Sequence, residues 1–87
     1  MRAVITVIGK DMVGILAKTS TTCADANANI LEVTQSILQE YFAMVMLIDI
    51  SKMNCTLDEL KENLRKNVAG MIIHVMHEDI FNSMHRI

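Results

Sequence analysis

The sequence contains no proline and no tryptophan, three glycines, and only two Phe and one Tyr as aromatic side chains. Lack of proline leaves no semi-rigid spacer and fits a compact chain without linkers. The shortage of rings bears on RNA recognition, because modules that read single-stranded RNA on a sheet stack bases on aromatics of the central strands. The first strand-like run has none, and the third has only Tyr41 and Phe42. Charge of either sign is not in excess: 8 basic and 10 acidic side chains, a formal net charge of −2, give little pull toward phosphate backbones or anionic membranes. Cys23 and Cys55 stand far apart without metal-type spacing, so neither a disulfide framework nor a thiolate metal site is expected. No apolar run approaches the ~20 residues that cross a bilayer. Arg2 is followed by a strand-like run rather than a leader, so a cytoplasmic location is expected.

What remains is hydrophobic and patterned. Apolar residues make up 52% of 87 residues, enough for one domain, 1–87, whose own core is small. Ala3-Val4-Ile5-Thr6-Val7-Ile8 is β-branched, bounded by Gly9 and almost uniformly apolar, as a central strand is. Gly9 to Gly14 makes a loop, with Asp11 placed to cap the helix that follows. Residues 12–27 carry Ile15, Leu16, Thr19, Ser20, Cys23 and Ala26 at helical spacing, but Thr19-Ser20-Thr21-Thr22 has poor helix propensity. Packing must hold that helix.

Ile30 to Gln39 is a polar strand suited to a sheet edge, and Tyr41 to Ile50 is a strand apolar on both faces. Thr56-Leu57-Asp58-Glu59 spells a capping box, with Leu57, Leu60, Leu64 and Val68 on one helix face and Gly70 at its stop. Residues 71–77 form a fourth strand, and Ile80, Phe81 and Met84 predict a short helix in the tail 78–87. The order predicts an α+β, ferredoxin-like βαββαβ fold: a four-stranded antiparallel sheet with two helices on one face and a short C-terminal helix. Met44, Met46, Met71 and Met76 fall on strands expected to be interior. Two helices cover one face only, so a partner subunit, a partner protein or the terminal helix must cover the other.

The loop Gly9-Lys10-Asp11-Met12-Val13-Gly14 has the glycine spacing of a phosphate loop, but Ile15 and Leu16 stand where Lys and Ser or Thr must be. Nucleotide binding through this loop is not expected. On the residues alone the loop is either a plain strand-to-helix turn or a seat for a small carboxylate. The segment Asp11-Met12-Val13-Gly14-Ile15-Leu16 resembles the first turn of the ACT-domain family, with Val13 where that family usually has Pro. Asn29-Ile30 falls where the family places Asn-Ile at the start of its second strand. The resemblance spans a core of residues 3–77. The tail Glu78 to Ile87 is similar to that of small single-ACT-domain bacterial proteins, themselves similar to the glycine cleavage system transcriptional repressor.

That resemblance implies a regulatory homodimer that binds an amino acid between the first turn of one chain and the second strand of its partner. It assigns ligand binding to Asp11, Gly14, Asn29 and Ile30, and implies a regulated protein partner. The alternative is an interaction module without a ligand. No cofactor is called for. The pair His74 and His77 lies three residues apart on a strand, on opposite faces, so no metal site is expected. No His lies in the first loop to activate Cys23, so no enzyme is expected.

Overall fold

Two βαβ halves fold onto one sheet in this computed structural model, which describes residues 1–10 and 13–84. The elements are β1 (Arg2–Gly9), α1 (Ile15–Asp25), β2 (Asn29–Leu38), β3 (Tyr41–Asp49), α2 (Leu57–Asn67), β4 (Ile72–His77) and α3 (Glu78–Met84). The sheet order is β2-β3-β1-β4, antiparallel throughout. This is the expected ferredoxin-like arrangement. β1 is central, as its unbroken apolarity requires. β4 is the second edge, so Met76 lies on an edge strand and Met71 just before it; neither is interior as expected.

The core lies between the sheet and the two long helices. Ile5 of β1 stands between Met46 of β3 and Val75 of β4, while Val7 stands between Met44 and Ile73. Leu60 and Leu64 of α2 close over them, each fully buried. Each such side chain contributes about 1.5–3 kcal/mol by leaving water. From α1 come Ile15, Thr19, Thr22 and Cys23. Burial of the two threonines costs little, because each hydroxyl donates to a carbonyl one turn back: Thr19 to Ile15 at 2.7 Å and Thr22 to Lys18 at 2.8 Å. Asn67 Nδ2 donates to Thr22 Oγ1 at 2.9 Å and ties α2 to α1.

Helix ends are set by local chemistry. The capping box forms as predicted: Glu59 N–H donates to Thr56 Oγ1, and Thr56 N–H donates to Glu59 Oε1. At the C-terminus of α1, Asn27 takes a left-handed φ of 59°. Its N–H donates to the Ala24 carbonyl and that of Ala28 to Cys23, the paired bonds of a Schellman motif. Asn27 Nδ2 then donates to the Lys52 carbonyl at 2.7 Å, and Asn54 Nδ2 to the Asp25 carbonyl at 2.9 Å. The helix end and the β3–α2 loop are thus fastened together.

A register shift interrupts β2 between Ile30 and Glu32. From Leu38↔Tyr41 back to Glu32↔Leu47 the pairing is regular; beyond the bulge Ile30 faces Ile48 and Asn29 faces Asp49. The extra residue puts Ile30 against the core and leaves Leu31 outside, 45% exposed.

α3 turns back over the sheet face that α1 and α2 leave open. Arg2 holds its start with two contacts to Glu78, Nε to Oε1 at 3.0 Å and Nη2 to Oε2 at 2.6 Å. Val4 on this face is only 4% exposed. Phe81 and Asn82 line a cavity of about 180 Å³ with Val4, Val45 and Leu47. Coverage stops there. Ile8 and Ile72 on the same face stay 40% and 60% exposed.

Candidate functional site

Gly14 ends the first turn and starts α1. Its φ of 74° and ψ of 1° place it in the left-handed region, and its carbonyl accepts the first helical bond from Lys18 N–H at 2.9 Å. A glycine is favoured there by backbone conformation rather than by crowding, since an added Cβ would meet only Lys18 Cε at 3.9 Å. The helix N-cap is therefore Gly14, without a side-chain cap, where the spacing predicts Asp11. With Gly14 turning left-handed, the helix starts at Ile15. Asp11 itself lies outside the described residues. Val13 and Leu16 beside this turn are 84% and 40% exposed.

At the other end of α1, Asn29 begins β2 and lines a cleft of about 470 Å³. The register places Asp49 directly opposite it, and Asn27, Ser51 and Lys52 complete the polar wall. Ser51 N–H donates to Asp49 Oδ1 at 2.9 Å. The Ser51 hydroxyl and backbone N–H hold the Asp49 carboxyl below its ordinary value, so it is ionised at neutral pH. Among the described residues, no hydrogen bond or ion pair engages the Asn29 side-chain amide or the Lys52 ammonium. The Ile30 side chain packs against the core and does not line the cleft.

Gly14 and Asn29 do not meet within one chain. They stand at opposite ends of the 11-residue α1, about 16 Å of helix apart. Sequence reasoning singled out Asn29 but not Asp49 or Lys52, which only the β2–β3 register and the Asn27–Lys52 bond bring beside it.

Other chemistry is dispersed. His74 pairs with Thr6 and His77 with Ala3, positions of opposite parity, so the two imidazoles are on opposite faces of the sheet. Among the described residues, no three His, Cys, Asp or Glu side chains gather closely enough to hold a metal ion. Cys23 is fully buried and burial pushes its thiol up to about 11, the opposite of an activated nucleophile. Burial and Glu59 raise the Cys55 thiol as well. Among the described residues, no helix is long and apolar enough to cross a membrane.

The chain is similar in sequence and fold to known proteins. A family model described as "ACT domain" matches residues 2–77. A UPF0237 protein of Listeria innocua is 46% identical over 89 residues, covering 100% of both chains. A solved structure of an ACT domain protein from Streptococcus pneumoniae superposes with a TM-score of 0.77 at 31% identity, covering 98% of each chain. A structure described as a glycine cleavage system transcriptional repressor matches with a TM-score of 0.69 at 27% identity, over 85% of this chain and 43% of that one.

Proposed function

The chain belongs to the ACT-domain family, and from that premise we propose that it is a regulatory module that binds an amino acid across a homodimer interface. The observation that carries this reading is the separation of Gly14 from Asn29 along α1. β2 is a sheet edge with open backbone groups, flanked by the exposed apolar side chains of Leu31 and Ile37. When two such edges pair antiparallel about a two-fold axis, the end of one strand meets the start of the other. The Gly14 turn of one chain then comes beside Asn29 of its partner. Two sites result, each incomplete in a single chain. Gly14 lets the backbone approach the ligand; Asp11 receives its ammonium; Asn29 and the strand start at Ile30 complete the far wall. A cytoplasmic location and a regulated protein partner belong to the same reading.

Light scattering after size exclusion at micromolar concentration tests the dimer, with about twice the chain mass expected. A thermal-shift screen with the twenty amino acids at millimolar concentration tests the ligand. A ligand at ~100 times its Kd adds about 2.7 kcal/mol, a rise on the order of 10 °C or more for a domain this small. Asparagine tolerates left-handed backbone, so Gly14→Asn fills the ligand's space without unfolding the turn and should abolish the rise. A clean monomer, or a melting point unmoved by every amino acid, defeats the sensor.

A second reading has its own observation. Ile8 and Ile72 remain exposed on the sheet face beyond the reach of α3. That patch suits a protein-interaction module without a ligand, and the same screen separates the two.

A further inference from the structure

Where α3 turns back over the sheet it roofs a cavity of about 180 Å³. The strand register builds the floor. Leu47 of β3 lies between Val4 of β1 and Glu32 of β2, and Val45 lies opposite Thr34. Phe81 closes the space from above. A space of this size lined by apolar side chains holds one small ring, since a cavity of roughly 150 Å³ takes benzene. Its two carboxylates stand at the rim and are unequal. Glu78 is neutralised, because Arg2 engages both of its oxygens. Glu32, at the β2 end, is engaged by no hydrogen bond or ion pair among the described residues. Among the described residues, no basic side chain lines the cavity. An apolar floor with one uncompensated carboxylate at its mouth is complementary to a small organic cation with an apolar body.

We propose that this cavity binds a small primary amine, its apolar body between Phe81 and the sheet and its ammonium on the Glu32 carboxylate. Thr34, two residues on and therefore on the same face, offers the ammonium a second acceptor. A carboxylate on the ligand is repelled by Glu32, so a free amino acid fits poorly here. The site lies within one chain, on the sheet face away from α1 and α2, and needs neither a partner subunit nor the Gly14 turn. It goes beyond the sensor reading and stands or falls apart from it. α3 is a seven-residue helix without a buried residue, pinned at its start by the Arg2–Glu78 pair. An element with so little burial opens at low cost, and an amine seated beneath Phe81 holds it closed.

The test titrates the full chain and follows its backbone amides by NMR, with three probes of one shape: benzylamine, benzyl alcohol and benzoate. Benzylamine should shift the amides of Val4, Val45, Leu47 and Phe81 saturably at about millimolar concentration. Benzyl alcohol should shift the same amides with an affinity about two- to fivefold weaker, the range of one ion pair at an exposed carboxylate. Benzoate should leave them unmoved. Glu32→Gln should bring benzylamine down to the affinity of benzyl alcohol. Val45→Phe fills the cavity and should abolish binding of both. Phe81→Ala removes the roof without touching the buried core and should weaken both about tenfold, so the cavity is tested even where Val45→Phe fails to fold. Circular dichroism melts check each variant. Amides that do not move with benzylamine, shifts that survive the cavity variants, or benzylamine no tighter than benzyl alcohol would each overturn the proposal.

Discussion

The two long helices are each 11 residues and pack on the same sheet, yet they are built by opposite means. α2 carries its own instructions. Thr56 and Glu59 cap it, Asp58 and Glu59 sit in its first turn, and Arg65 and Lys66 in its last. These charges complement the helix dipole. α1 has no acidic residue in its first turn, no basic residue in its last and no side chain at its N-cap. Its threonines bond to their own backbone. α1 is held by what it packs against and by its fastened C-terminus. A helix whose N-terminus is left without a side-chain acceptor keeps those N–H groups available, and in α1 that terminus adjoins the proposed ligand site.

The largest way to break this contrast goes through the core both helices share. Leu64→Ala in α2 removes a fully buried side chain and should cost about 2–5 kcal/mol. At roughly 4–8 °C per kcal/mol, the calorimetric melting point should fall by on the order of 10 °C or more. A loss of only a degree or two would mean that the core relaxes around the cavity.

A smaller effect isolates the cap of α2. Thr56→Ala should cost about 1 kcal/mol at neutral pH. Thr56 holds the Glu59 carboxyl below its ordinary value. A carboxyl whose folded-state value is depressed contributes stability above its unfolded value, about 4.3, and loses it as pH falls through the lower folded value. The gap between wild type and Thr56→Ala should therefore be flat at neutral pH and narrow below about pH 4. Urea melts at a series of pH values measure it, and a gap that widens in acid would contradict the cap.

The smallest effect belongs to α1. Thr19→Val keeps the buried shape and removes a hydroxyl whose acceptor is already a helix carbonyl. Stability should stay within about 0.5 kcal/mol of wild type. A large loss would show that the hydroxyl, not packing, supports this helix.

The same contrast explains what was legible in the sequence. The start of α2 could be read because it is written in side chains, Thr56 and Glu59; its end falls at Asn67 with Val68 as C-cap, ahead of the expected stop at Gly70. β3 could be read because both of its alternating sets are apolar, and β1 because it is apolar throughout. The start of α1 could not, since Asp11 carries a capping side chain while the true N-cap, Gly14, is fixed by backbone conformation alone. The cleft was half legible. Asn29 came from its resemblance to a family pattern, but its neighbour came from a bulge. Regular counting from the Gln39–Glu40 turn sets Asn29 opposite Ile50; one extra residue at Leu31 moves it opposite Asp49. No local pattern in β2 announces that residue. It follows from burying Ile30, a choice made by the whole sheet.

A ligand site shared between two chains is tested most directly by mixing two crippled chains. Gly14→Asn alone and Asn29→Ala alone should each form dimers with no competent site. Mixed, unfolded and refolded together, they form hybrid dimers in which one site carries both changes and the other carries neither. About a quarter of all sites should then bind the amino acid with wild-type affinity, read as calorimetric stoichiometry. A mixture that stays as silent as its two parents would place Gly14 and Asn29 in no common site and contradict the account.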